Sequence, residues 1–211
     1  MSLIKSNHAV SGLINLVREN AGQINIAALG PLTNIALACR MDPSFGKNIK
    51  SLYAMGGTKH GKGNHTVSAE FNFAADPEAA YIVLKEMSCH VSLITWELCE
   101  DHSMEWDFFY EYVGKNSLKS RFMKKISGAV KDFEDGGPFI TCDPFVVSVI
   151  VEPEIVLNTQ TVHAAVELQG VHTRGQLVVD WRGILGQPKN VVLIDKLDIE
   201  AFKRLMLKSV N

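Results

Sequence analysis

Ile24-Asn-Ile-Ala-Ala-Leu29, closed by Gly30-Pro31 and followed by Leu32-Thr-Asn-Ile-Ala-Leu-Ala-Cys-Arg40, is the stretch that decides the fold. A short apolar run ended by Gly-Pro has the length of a strand. Thr33 or Asn34 can cap a helix that reaches about Arg40 and stops at Asp42-Pro43. The unit then recurs. Lys50-Ser-Leu-Tyr-Ala-Met55 reads as a second strand. After a glycine-rich loop, Asp76-Pro77-Glu78 supplies an N-cap, a proline at the first helical position and an acid in the first turn of a helix to about Glu86. Val91-Ser-Leu-Ile-Thr-Trp96 reads as a third strand. These alternations predict an α/β fold, an open and mostly parallel sheet flanked by helices. Such sheets bind ligands beyond the C-terminal ends of their strands, which directs attention to the loops after Leu29, Met55, Trp96 and Cys142.

Working outward, Val10, Leu13, Ile14 and Val17 recur at helical spacing, and Asn20-Ala-Gly22 ends that helix. Ser103 to about Phe133 is helical and more charged, and Asp135-Gly-Gly-Pro138 breaks it. Asp143-Pro144 is a second Asp-Pro helix start, with a helix that ends near Pro153. The tail alternates like strands at His163–Leu168, Gln176–Trp181 and Val191–Ile194, and a last helix runs from Asp198 to about Lys208.

The 211 residues are 46% hydrophobic and 21% charged, the balance of a globular chain, and the length suits one domain over residues 1–211. With 21 basic and 23 acidic side chains the net charge is −2, so nothing draws the chain toward nucleic acid or an acidic membrane surface. No apolar run reaches the roughly 18–20 residues of a membrane span. Cys39, Cys89, Cys99 and Cys142 show no C-x-x-C spacing, and Ser11, Gly12 and Asn15 interrupt the only candidate signal segment. Reduced thiols in a cytoplasmic protein are the expectation.

Several positions invite chemistry. Gly56-x4-Gly61-Lys62 falls short of a phosphate-binding loop, because Gly63 stands where Ser or Thr would bind magnesium, and the bland reading is a flexible surface loop. Asn64, Glu70 and Asn72 together offer amide donors and a carboxylate acceptor to the hydroxyls of a sugar, or else form a polar capping loop. Asp76 and Asp143 suit N-caps, and Asp143 also suits a metal ligand at the sheet's ligand edge. Met55 reads as core, Cys142 as a buried small hydrophobe, and Trp96-Glu97 as a ligand wall or core packing.

Ala28-Leu-Gly-Pro-Leu-Thr-Asn-Ile-Ala36, Met55-Gly-Gly57, Gly63-Asn64, Ala69-Glu-Phe-Asn72, Asp76-Pro-Glu-Ala-Ala80 and Cys142-Asp143-Pro144 resemble, in order and spacing, the inosine–uridine-type nucleoside hydrolases. The resemblance covers nearly the whole chain. It implies hydrolysis of the N-glycosidic bond of a ribonucleoside such as inosine or uridine to ribose and free base, with a bound Ca²⁺ holding the ribose hydroxyls and the attacking water, in a homo-oligomer. Position by position, it implies that Asp143 is a calcium carboxylate, that the backbone carbonyl of Leu29 is a calcium ligand, and that Asn64, Glu70 and Asn72 bind ribose with Met55 lining the pocket.

Two departures qualify what the resemblance implies. The family's early D-x-D-x-x-x-D-D segment, source of the catalytic base and most calcium carboxylates, is not in these residues. The expectation is therefore a chain incomplete at its N-terminus, lacking its first strands and inactive alone. The alternative is a non-catalytic ribose- or nucleoside-binding remnant or partner subunit. Secondly, Cys142 stands where better-known members place a histidine that aids the leaving base, which resembles a branch of the family carrying Cys there. Glu97 and Asp101 are carboxylates near a strand end, with nothing in the sequence to bring them to the water.

Overall fold

The computed structural model describes residues 8–128 and 137–211. Helix α1 (Ala9–Glu19) buries Val10, Ile14 and Val17, the stripe its periodicity demands. Next come β1 (Asn25–Ala28), α2 (Thr33–Met41), the one-turn α3 (Phe45–Asn48), β2 (Ser51–Met55), α4 (Phe71–Ala75), α5 (Pro77–Glu86), β3 (His90–Ile94) and α6 (Trp96–Asp101). Helices α7 (Trp106–Gly114), α8 (Leu118–Ile126) and α9 (Asp143–Val151) follow. The chain closes with β4 (Val156–Val162), β5 (Ala164–Val166), β6 (Leu177–Val179), β7 (Val191–Leu197) and α10 (Ile199–Ser209).

The main sheet has the order β1-β2-β3-β7-β4. Its first four strands are parallel, and β4 runs antiparallel to β7. Strands β5 and β6 form a separate hairpin-like pair. Register aligns Ala28 with Ala54 and Met55 with Ile94, so the loops after β1, β2 and β3 leave the sheet along one edge. That is the ligand edge the sequence pattern anticipates.

Alternation along the strands builds two cores, one per face. Leu52, Leu93 and Leu193 point to the cluster under α1, α2 and α5, with Val10, Ile35 and Val83. Their neighbours Ile94 and Ile194 point to the opposite cluster, with Phe145 and Val149 of α9 and Phe202 of α10. Full burial of such side chains contributes roughly 1.5–3 kcal/mol each. Strand β1 pairs with β2 only, so among the described residues its outer edge carries no partner.

The structure departs from the sequence expectations at definite places. The stretch expected to be helical from Ser103 to about Phe133 holds two helices in its described part, because the Ser117 hydroxyl accepts a bond from the Ser120 N–H at 3.0 Å and caps a new start. The expected stretch beyond 128, and the Asp135-Gly136 half of the break, lie outside the described residues. Neither Thr33 nor Asn34 caps α2: Leu32 holds that position, and the Thr33 hydroxyl instead donates to Asp76 at 2.5 Å. Asp76 does cap α5, accepting from the Ala79 N–H at 3.0 Å. Strand β4 is polar and mostly exposed, so hydrophobicity does not announce it. Helices α4 and α6 are too short for a periodic signal.

Candidate active site

Past Met55 the chain turns away through Gly56 and Gly57. Gly57 has φ +77°, a conformation that L side chains rarely adopt. This turn aims the Gly57 N–H at Glu70 Oε2, 3.1 Å away, while its carbonyl accepts the Trp96 N–H at 3.0 Å. Glu70 is 2% exposed and sits at the N-cap of α4. Its Oε1 accepts from the Asn72 N–H at 2.8 Å, and Oε2 also accepts from the Phe73 N–H at 3.3 Å. An ionised carboxyl offers about four lone-pair sites, so three N–H donors leave about one for a ligand hydroxyl. Asn72 is likewise buried; its Nδ2 donates to the Met55 carbonyl at 3.1 Å and contacts the Met55 sulfur at 3.5 Å. Asn64 is exposed, and its Oδ1 accepts the Phe71 N–H at 2.9 Å. One loop and one short helix thus bring the three expected ribose-binding residues together. Met55, a core residue at 4% exposure, holds Asn72 in place.

Asp143 begins α9 but does not cap it. Cys142 holds the cap position with no side-chain bond, and the exposed Asp143 carboxylate accepts no hydrogen bond from the described residues. The capping role the sequence suggests is therefore not filled, which leaves the carboxylate available. Desolvation holds Asp143 above its ordinary 3.8. Burial pushes Glu70 up as well, its three N–H partners pull it back, and the negative charge of Asp143 adds to the rise. The charge of Asp143 thus bears on Glu70 from a separate segment of the chain.

Asp143 and Leu29 line one cavity of about 390 Å³, with Tyr112, Pro144, Val147 and Met206. Asp143 and Cys142 line a second, of about 290 Å³, with the rings of Phe109, Tyr112 and Phe139. Cys142 is half-buried, and the buried thiol of Cys99 in α6 is hydrogen-bonded to it; that bond and burial push Cys99 far above the usual thiol range. All four cysteines are unpaired.

The donor chemistry bears on the implied calcium. A carboxylate and a backbone carbonyl are the hard oxygens that Ca²⁺ takes, but Asp143 and Leu29 give two where roughly six to eight are needed. Among the described residues no group of three or more His, Cys, Asp or Glu side chains could hold a metal. These residues by themselves do not fit a calcium ion.

Sequence reasoning missed the role of Glu97. It is 5% exposed and accepts two adjacent backbone N–H groups of the glycine-rich loop, Lys59 at 2.9 Å and His60 at 2.8 Å. A carboxylate three residues beyond the end of buried β3 was the available signal. Asp101 is exposed at the far end of α6.

An open, mostly parallel sheet with a polar, carboxylate-bearing cluster at its strand ends has the arrangement in which α/β proteins commonly bind ligands. Comparison narrows the class. The family model described as inosine-uridine preferring nucleoside hydrolase matches residues 2–204. The inosine-uridine preferring nucleoside hydrolase of Crithidia fasciculata is 31% identical over 213 residues, covering 99% of this chain and 67% of that protein. The non-specific ribonucleoside hydrolase RihC of Salmonella newport is 34% identical over 185 residues, covering 86% of this chain and 58% of that protein. The solved structure of an inosine-guanosine nucleoside hydrolase superposes with TM-score 0.88 at 31% identity, over 97% of this chain and 68% of that one. A plant nucleoside hydrolase superposes at TM-score 0.87 and 24% identity, over 100% of this chain and 68% of its own, a likeness of fold. The chain belongs to the inosine-uridine preferring nucleoside hydrolase family. It spans 58–67% of the length of these two curated relatives.

Proposed function

We propose that these residues supply the ribose-binding side of a site that hydrolyses the N-glycosidic bond of ribonucleosides. The observation that carries the reading is the meeting of buried Glu70 and Asn72, at the C-terminal end of β2, with the charge of Asp143. Glu70 has a lone-pair site left for a sugar hydroxyl, and exposed Asn64 adds an amide. The cavity with Phe109, Tyr112 and Phe139 offers ring faces for a nucleobase, with the Cys142 thiol beside it. Positive charge develops on the sugar ring as the glycosidic bond breaks, and carboxylates close to the ring favour that transition state. Inosine and uridine, substrates in the names of relatives, are the nucleosides to try first.

In a Ca²⁺-dependent reaction Asp143 and the Leu29 carbonyl would supply two of the ion's oxygens; the others, and the base that activates water, are assigned to no residue here. Four unpaired thiols support a reducing, cytoplasmic setting. The unpaired edge of β1 supports assembly with further polypeptide, another copy of the chain included. The small donor count at Asp143 favours a second reading, in which the chain binds ribonucleosides without cleaving them. Incubation with inosine or uridine and millimolar Ca²⁺, assayed for free ribose beside inosine binding, tests both. These 211 residues alone are expected to bind inosine and release little ribose. Release abolished by Asp143→Ala decides for hydrolysis within this chain. Binding without release bears out the ribose-binding role that both readings share, and a folded chain that does neither overturns the proposal.

A further inference from the structure

The glycine-rich loop that resembles a phosphate-binding loop already holds an anion, and the anion is the protein's own. Consecutive N–H groups of Lys59 and His60 converge on the carboxylate of Glu97. Such paired amides form a concave anion site. A second tie lies beside it: Lys59 Nζ pairs with Asp195 of β7 at 2.8 Å, with the two side chains 10% and 8% exposed. Asp195 is bonded to the Gln160 amide as well. On the outer side the His60 ring stacks on Trp181, centroids 5.8 Å apart. The loop between β2 and α4 is thus tied to α6 and to β7, and a few residues further on it delivers Asn64 and Glu70.

We infer that Glu97, together with the Lys59–Asp195 pair, is a positioning device that sets the β2–α4 loop for ribose, and that none of the three touches the sugar. The inference rests on the ribose-binding reading above. Its physical basis is that buried ion pairs add little net stability, yet they fix one arrangement of the chain, because the alternatives leave a charge buried alone. Glu97 adds a second tie by holding two part-buried backbone donors of the loop in one arrangement. A loop with glycines at 56, 57, 61 and 63 has much backbone freedom to lose, and these ties remove it before the ligand arrives.

The test compares wild type with Glu97→Gln, which keeps the side chain's shape but turns an N–H₂ group toward a backbone donor. D-ribose and inosine are titrated by saturation-transfer NMR, and amide hydrogen exchange is followed over residues 56–64. The expected result is exchange at Lys59 and His60 at least tenfold faster, and sugar affinity reduced about tenfold, the scale of one lost hydrogen bond to a charged group. In Glu97→Ala, added acetate is expected to fill the vacated anion site and restore sugar affinity in part, which a general loss of stability does not explain. If Glu97→Gln fails to fold by circular dichroism, Lys59→Met/Asp195→Leu removes the other tie without leaving a lone buried charge, and the same loss of affinity is expected. Equal affinity in wild type and variants overturns the inference while leaving the ribose reading intact. A wild-type chain that binds neither sugar overturns the ribose reading, and the positioning role with it.

Discussion

Glu70 and Asp143, the two carboxylates of the proposed site, stand in opposite situations. Glu70 is held by three backbone donors, so Glu70→Gln turns an N–H₂ toward them and is expected to destabilise the fold by about 1–3 kcal/mol in urea denaturation. Asp143 has a desolvated carboxyl and, among the described residues, no protein donor. Its folded value lies above the unfolded one, so its favourable contribution is full below about 3.8 and is lost as pH rises through the raised folded value. The melting temperature of Asp143→Asn is therefore expected to gain on wild type as pH climbs from about 3.5 to about 6.5. Relief of Glu70 from its neighbour's charge acts in the same direction. A difference that stays flat across that range would contradict the assigned environment of Asp143.

At the scale of elements, the Asp-Pro signals look alike in sequence and differ in space. Asp76 accepts from both the Ala79 N–H and the Thr33 hydroxyl, joining the starts of α5 and α2. Asp76→Ala is expected to cost about 1 kcal/mol by thermal or chemical denaturation. Asp143 precedes proline in the same way but caps nothing, so its freedom to act elsewhere was not legible from the motif. Glycine spacing was equally ambiguous. A Cβ at Gly63 would stand 2.1 Å from the Thr66 carbonyl oxygen and 2.5 Å from the Ala69 nitrogen, both backbone atoms that cannot swing aside. Gly63→Ala is therefore expected to destabilise by about 2 kcal/mol and to speed proteolysis between residues 56 and 70. What the sequence made readable was the repeated strand–helix unit, because burial on both faces of a parallel sheet writes continuous apolar runs. Polar β4, one-turn α4 and the split of α7 from α8 depend on edge position and capping, which leave no periodic trace.

At the scale of the molecule, two cores pack on a sheet whose β1 edge is open, and the candidate site lies where that edge meets α9. Val147 and Val151 of α9 are 44% and 65% exposed, and Leu29 beyond β1 is 38% exposed, an apolar strip beside unpaired backbone. Concentration-dependent association is the expected consequence, followed by light scattering after gel filtration. Val147→Lys/Val151→Lys is expected to reduce it without lowering the melting temperature. The sequence brought Asn64, Glu70, Asn72 and Asp143 forward by resemblance, and the fold brings the charge of Asp143 to bear on Glu70. The sequence offered Glu97 as a carboxylate near a strand end; its tie to the loop was not legible, because a hydrogen bond from backbone to a distant side chain has no local pattern. Calorimetry of the 211-residue chain with inosine is the decisive measurement. Measurable binding is expected, and Asn72→Ala and Asp143→Ala are each expected to weaken it while circular dichroism stays unchanged. Absence of binding by a folded chain, or binding indifferent to both substitutions, would contradict the proposed function.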